Sequence, residues 1–518
     1  MSAIRGSDPR LHRRIAVAAL LIALGNIASR IIGLVREGVI AGTFGVSTAV
    51  DAFTAASSLT TILYDLLISG AISAALVPVF SEYAEHDDAE LWHVASTIIN
   101  LALLTIAFLA VLLAWQAPLV VAVLAGGFEP RIRDQATTMV RLLLPSVLFL
   151  GLSGLITALL QARQRFLLPA FTTSAYNLGI ILGVVLLTRS LGPLSLVVGV
   201  VAGSLLQVML QIPGLRGATY RLTLDLAHPG VRRILRLYAP VAVGIGFSVI
   251  GIVLDRNLAS QVGQNALSTM RYATTLVQLP LGLVAAAVSF AILPTLSRQS
   301  GTDEHGFRTT LAMGLKVVML LILPATAGLA TLAEPVVRLL LERNAFTPTD
   351  TLTTAGVLRL YLPGLPAAAL DQLLLFAFYA RRKTLAPNLV QGAAIGCYIL
   401  TALGLLRLTS LRVEALVIGN SVQWIAHLVI MAILARNLID LSGLRLGEAL
   451  FKCTLAGLGM AGTVWAAALM LARFGTFAQL AGAILIGGGA YLGLCLLLRV
   501  EALGFFVDAV VKRGRGRV

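Results

Sequence analysis

The sequence predicts an all-α polytopic membrane protein with about 14 transmembrane helices, arranged as two parallel-repeat six-helix lobes plus two C-terminal helices. Three observations predict it. The 518-residue chain is 58% hydrophobic and only 12% charged, and its mean hydropathy is +0.92. Soluble domains run at roughly 45–50% apolar and about 25% charged residues. Apolar stretches of membrane length recur along the whole chain. The first half of the sequence is also repeated in the second.

Crossing the hydrocarbon core takes about 20 apolar residues in a helix. Such stretches lie near 14–42, 50–79, 92–124, 136–161, 169–188, 193–213, 233–257, 267–295, 309–332, 352–379, 386–406, 413–435, 449–472 and 476–498. The third is long enough to break near Pro118. Basic residues in loops set orientation, because they stay on the cytoplasmic side. Arg5, Arg10, Arg13 and Arg14 precede the first stretch, and Lys512, Arg513, Arg515 and Arg517 follow the last. Arg163, Arg165, Arg216, Arg221, Arg232, Arg233, Arg381, Arg382 and Lys383 fall in even-numbered connections. Both termini are therefore predicted to be cytoplasmic, and the basic N-terminus reads as an uncleaved tail because its apolar run leads into further spans. The 82–90 connection is acidic, but acidic residues count little in this rule.

The duplication shows in three pairs of segments. Arg13 aligns with Arg232, Pro78 with Pro294, and Pro169 with Pro387, at offsets of 219, 216 and 218. The predicted organisation is an N-terminal lobe over 1–215 (six spans), a second lobe over 216–440 (six spans), and 441–518 with two more spans and a basic cytoplasmic tail. An even number of spans per half makes the repeats parallel, with the substrate site expected between them near the midplane.

The net charge of +15 follows from the loop arginines and implies no nucleic-acid partner. Cys397, Cys453 and Cys495 lie in apolar stretches without a CxxC or a disulfide framework. There is no phosphate-binding glycine loop, no metal-ligand spacing, no nucleophile elbow and no cofactor motif. A transporter is therefore expected, rather than an enzyme.

The informative residues are the charges inside the first two spans, because ionisable groups at bilayer depth are costly and usually face a bundle interior or a wet cavity. At about 100° per residue, Asn26, Arg30, Gly33 and Glu37 share a strip of the first helix, with Ser29 and Arg36 on its flank. Asp51, Ser58, Asp65 and Ser69 share a strip of the second. Small polar residues in such strips also read as helix-packing positions, and Arg36 with Glu37 also reads as a terminal snorkelling pair. In the second half, Asp255 and Arg256 read either as a pair at a membrane face or as functional groups. Arg271, Gln278, Asp371 and Gln372 are further polar positions within spans. His427 reads as a packed histidine, and Lys316 as a residue close enough to its helix start to snorkel.

The stretches SRIIGLVREGVIAGTFGVSTAVDAF, GAISAALVPVFSEY, GLITALLQARQRFLLPAF, LDRNLAS, YATTLVQLPLGLVAAAVSFAILPTLSR and GLPAAALDQLLLFAFYARRKTLAPN resemble the MurJ (MviN) family of lipid II flippases, within the multidrug/oligosaccharidyl-lipid/polysaccharide exporter superfamily. The resemblance implies fourteen helices in two lobes, and a groove for a lipid tail formed with the last two helices. It also implies a bacterial cytoplasmic-membrane location and transport of undecaprenyl-pyrophosphate-linked peptidoglycan precursor by alternating access. The implied partners are this lipid-linked anionic glycan, membrane lipids and cell-wall synthesis proteins.

The family's first-helix arginines fall on Arg30 and Arg36, its serine on Ser29, the following acidic residue on Glu37, and its aspartate ahead of helix two on Asp51. A polar position of helix eight falls on Gln278. The chain departs from the family where Tyr64 and Asp65 replace a paired arginine, where Ser69 replaces glutamate, and where Thr274 and Thr275 replace two charges. The expected substrate-binding set is Arg30, Arg36, Ser29, Asp51, Glu37, Arg256, Arg271 and Gln278. Asp65 and Asp255 are the candidate ion-coupling residues. Rival readings are a flippase for another lipid-linked oligosaccharide, a cation-coupled small-molecule exporter, and a membrane scaffold.

Overall fold

Lipid offers no partner to a backbone N–H or C=O, so a spanning chain must close its hydrogen bonds within helices or barrels. In a computed structural model of the protein, helices are the regular elements among the described residues. These are residues 9–69, 72–381, 383, 385–436, 439 and 442–504, without the side chains of 9–20, 22, 23, 69, 73, 74 and 290. Arg5, Arg382 and the basic tail Lys512–Arg517 lie outside them, as do the side chains of Arg10, Arg13, Arg14 and Ser69.

Helix α1 is Pro9–Phe44 and α2 is Thr48–Tyr64. Twelve more helices are long and apolar enough to cross a membrane: α3 Asp88–Trp115, α4 Pro130–Ala162, α5 Thr172–Leu191, α6 Leu194–Leu215, α7 Pro229–Val262, α8 Ala266–Gln299, α9 Glu304–Thr331, α10 Pro348–Ala380, α11 Leu385–Leu408, α12 Val413–Arg436, α13 Leu446–Phe474 and α14 Thr476–Leu497. The break expected in the third span is present. Helix α3 stops at Trp115, and Pro118 sits in the first turn of a separate helix, Ala117–Leu124. A proline there gives up only an N–H that would have no partner in the helix.

The chain packs as two compact units, residues 1–268 and 269–518. In the first, α5 and α6 approach through glycines. A Cβ on Gly179 would lie 2.2 Å from the Gly203 Cα, and one on Gly183 would lie 2.4 Å from the Gly199 Cα. Two small-xxx-small motifs face each other here, which lets the backbones touch where lipid gives no hydrophobic drive. Gly179→Leu is expected to overpack this contact at a cost of about 1–3 kcal/mol, read as a lower thermal unfolding midpoint. An unchanged midpoint would reject this packing. Helices α4 and α6 are joined by polar bonds instead. Gln211 Nε2 donates to Ser153 Oγ at 2.7 Å, and Thr157 Oγ1 to Gln211 Oε1 at 2.9 Å.

The acidic 82–90 connection is matched by basic groups of two other even-numbered connections. Asp87 caps α3 by accepting from Ala89 N and Glu90 N. Asp88 pairs with Arg163, Glu90 with His228 at 2.9 Å, and Glu82 with Arg233 at 2.6 Å. These connections thus share one end of the unit.

Helix α7 packs within the first unit at both of its ends. Asn257 Nδ2 donates to Val123 O at 2.8 Å, Gly127 N to Ser260 Oγ at 3.0 Å, and Gly230 abuts the Tyr83 ring. The sequence repeat puts the start of the second half at 216, ahead of α7, whereas contacts divide the chain at 268/269.

The helix after α2 widens into π turns over Asp65–Ser69 and Ile72–Leu76, and α8 does so over Leu281–Ala285. The first and last of these start 216 residues apart (281 minus 65), the same offset as between Pro78 and Pro294, whereas Ile72–Leu76 has no π counterpart at that offset. π turns are rare and tend to accompany functional positions.

In the second unit, α13 and α14 lean on α9. Tyr491 Oη donates to Leu320 O at 2.8 Å. Lys316 is buried, and its Nζ lies 2.5 Å from Glu501 Oε2 beyond α14. A buried ammonium needs a counter-charge, and the chain returns to supply one.

Candidate functional site: an arginine held between two helices

The flank of the polar strip of α1 meets a single side chain on α5. Asn177 Oδ1 accepts from Arg36 Nη1 at 2.8 Å, and Asn177 Nδ2 donates to Ser29 O at 3.2 Å. A Cβ on Gly33 would lie 3.3 Å from the same Nδ2, so the glycine makes room for the amide. Ser29, Gly33 and Arg36 are spaced i, i+4 and i+7, which aligns them on one face. The face that the helical wheel placed on the flank of the polar strip is the one turned to α5.

Glu37 completes the arrangement. Its Oε1 accepts from Arg36 Nε at 3.1 Å and from Nη2 at 2.5 Å, and the residue is 1% exposed. Three of the five guanidinium N–H groups are thereby engaged. The planar group is fixed in two directions, by a carboxylate on its own helix and by an amide on the next. An orientated guanidinium fork is what bidentate recognition of phosphate oxygens needs. Arg30, six residues earlier on α1, is half-buried, and Asn26 is exposed.

The strip on α2 does not converge in the same way. Asp51 is 2% exposed, and both its oxygens accept backbone N–H groups, from Asn265 and from Ser268 at 2.7 Å each. The carboxylate thus sits on the corner that starts α8, where the first N–H groups of a helix need acceptors. Ser58 Oγ bonds back to Thr54 O at 2.8 Å. Asp65 is half-buried and heads the π turn, its N–H shared between Ile62 O and Thr61 O.

Asp255 and Arg256 are neighbours on α7, 3.6 Å apart. Arg256 Nε is buried without a hydrogen-bond partner among the described residues. In the second unit, Arg271 is half-buried and Gln278 exposed. Thr274 and Thr275 both bond back to Arg271 O, at 3.0 Å each, so each hydroxyl is satisfied on its own helix.

Two pairings escaped the sequence reading. Asn177 is the first. Its signal was a lone amide in an apolar span, two residues before Gly179. The second joins polar residues of two different spans. His427 Nδ1 on α12 lies 2.8 Å from Asp371 Oδ1 on α10, an ion-pair distance at which neither atom is aimed for a hydrogen bond. The second unit also holds two apolar cavities. One of about 720 Å³ is lined by Leu315, Met319, Leu370, Leu374 and Leu428, with Arg436 at its edge. One of about 260 Å³ is lined by Leu323, Ala327, Leu362 and Gly457, with Arg359 at its edge.

The family model described as lipid II flippase MurJ matches residues 40–485. The lipid II flippase MurJ of Burkholderia cenocepacia is 32% identical over 74% of this chain and 77% of its own length. The probable lipid II flippase MurJ of Vibrio cholerae is 29% identical over 73% and 75%. Among solved structures, a lipid II flippase MurJ in an inward closed conformation aligns with a TM-score of 0.79 and 26% identity, covering 93% of this chain and 99% of that one. An inward-facing multidrug-resistance MATE transporter of the MOP superfamily aligns with a TM-score of 0.67 over 82% and 98%; at 14% identity it shares the fold. With a family model spanning most of the sequence, with relatives matched over about three quarters of their length, and with the same helical fold, this chain belongs to the MurJ lipid II flippase family.

Proposed function

We propose that the protein moves lipid II, an undecaprenyl-pyrophosphate-linked glycopeptide, across the bacterial cytoplasmic membrane, with both termini in the cytoplasm. The observation that carries this reading is the Arg36 guanidinium, fixed by Asn177 and Glu37 in the α1–α5 contact. A hydrated pyrophosphate cannot cross hydrocarbon unaided, and charge-assisted hydrogen bonds replace its lost water. Arg36 and Arg30 hold the anion in this account, with Ser29 beside them. Glu37 and Asn177 orientate Arg36. Asp51 acts from a distance by fixing the start of α8. Arg256, Arg271 and Gln278 are further contacts for the head group, while Asp65 and Asp255 are the ion-coupling candidates. The apolar cavities of the second unit suit the isoprenyl tail. Enzymes that polymerise the flipped precursor are the natural protein partners.

A second reading has specific support. On the family resemblance, Tyr64 and Asp65 stand where the family's pattern has paired arginines, and Thr274 and Thr275 where it has charges. Fewer cationic donors suit a lipid-linked glycan other than lipid II. Expression in a strain depleted of its own lipid II flippase decides between them. Restored growth with wild-type protein is expected. Failure to restore growth at normal membrane levels would reject lipid II as the cargo.

A further inference from the structure

Residues 218–225, between α6 and α7, lie outside any helix and run antiparallel to the first turns of α3. The backbone of this strap is tied down by one polar stripe of α3. Asn100 Nδ2 donates to Arg221 O at 3.1 Å and to Thr223 O at 2.8 Å. Tyr220 Oη donates to Asn100 Oδ1. Arg221 N donates to Ser96 Oγ at 3.1 Å, and Asp225 N to Thr97 Oγ1 at 3.5 Å. His93 Nε2 lies 3.1 Å from Asp225 Oδ2, and His228 bonds Glu90 beyond. The Asp225 carboxyl is held below the ordinary carboxylate range, first by the His93 bond. A depressed carboxylate keeps its contact at neutral pH and loses it only as the pH falls through that lowered value.

The other side of the strap has no such partners. Leu222 is 90% exposed, and Leu224 and Leu226 are each about half exposed, whereas Thr223 and Asp225 between them are turned partly inward. Alternation with period two, polar toward α3 and apolar outward, marks an extended segment with one unpartnered face. Arg216, Arg221, Arg232 and Arg236 are exposed around it. Both ends of the strap join membrane-spanning helices, at Leu215 and Pro229. Asn100 lies 12 residues past Asp88, about 18 Å along the helix, so the strap reaches toward the apolar part of α3.

We propose that this strap is a docking surface for the anionic headgroup layer of the bilayer itself. Leu222, Leu224 and Leu226 enter the boundary between headgroups and acyl chains, and the surrounding arginines pair with lipid phosphates. Apolar side chains combined with arginines are the chemistry by which interfacial segments hold an anionic leaflet. Tethering at both ends to spanning helices favours the lipid surface over a protein partner. The inference goes beyond the flippase reading and does not depend on the cargo.

The test uses the full chain, one copy per nanodisc, with a fluorophore on Leu222→Cys after Cys397, Cys453 and Cys495 are replaced by alanine. Discs of phosphatidylcholine alone are compared with discs holding phosphatidylglycerol. The label is expected to be quenched by acyl-brominated lipid and protected from aqueous iodide, more strongly with phosphatidylglycerol. That lipid dependence is expected to vanish when the four arginines become glutamine. Hydrogen exchange of residues 218–226 in the unsubstituted protein gives a second readout, expected to be slower by about tenfold in anionic discs. Iodide access with no lipid quenching, an identical response in both lipids, or shielding only when two copies share a disc would each overturn the proposal.

Discussion

Arg36→Ala is expected to abolish transport, and the arrangement around it shows how to separate that loss from misfolding. The substitution removes the group that we propose holds the pyrophosphate. It also takes the guanidinium away from Glu37, which is 1% exposed, and from the Asn177 amide. A buried acceptor that loses its donor costs about 1–3 kcal/mol, more when it is charged. Arg36→Ala alone is therefore expected to lower stability as well as activity. Adding Glu37→Gln removes the buried charge, so the double variant is expected to regain most of the wild-type thermal midpoint and membrane level without regaining transport. Arg36→Lys keeps the charge but not the planar fork, and is expected to fall between wild type and alanine. Full transport by the double variant would show that the guanidinium has no part in moving the cargo.

Asp51→Ala has the largest expected effect on stability. Both carboxylate oxygens accept backbone N–H groups at the corner that starts α8, and alanine leaves one buried donor (Ser268) and one part-buried donor (Asn265) without an acceptor. At about 1–3 kcal/mol for the buried group and less for the other, the loss is expected to be about 2–4 kcal/mol, read as a lower unfolding midpoint in detergent. Asp51→Asn retains one acceptor oxygen and is expected to lose about half as much. If Asp51→Ala unfolds at the wild-type temperature but no longer binds cargo, then Asp51 is a ligand and the capping account fails.

The spans and the family were legible from residues alone. Each is written in local pattern: runs of apolar residues, charges set within them, and matched prolines at nearly constant offsets. The π turns at Asp65–Ser69 and Leu281–Ala285 were not legible, because a widened turn depends on how neighbouring helices press on it rather than on composition. The role of Asp51 was hidden for a related reason. Its helical position groups it with Ser58 and Asp65, whereas its partners lie more than 200 residues later in the chain. Asn177 is 141 residues from Arg36, and nothing in a single sequence pairs them. Asp371 and His427 were each noticed as polar residues in spans, but their pairing is set by the packing of α10 on α12. The counter-charge of Lys316, Glu501, lies 185 residues along the chain and is likewise beyond local pattern. The strap is written in local pattern, because Tyr220, Leu222, Leu224 and Leu226 alternate with polar residues.

Lipid II affinity of the purified chain is the measurement closest to the centre of this account. Wild-type protein is compared with the Arg36→Ala, Glu37→Gln double variant, at matched folding. Loss of a charge-assisted contact of about 1.5–3 kcal/mol predicts binding weaker by about 10–100-fold. Equal affinity for the two proteins would contradict it.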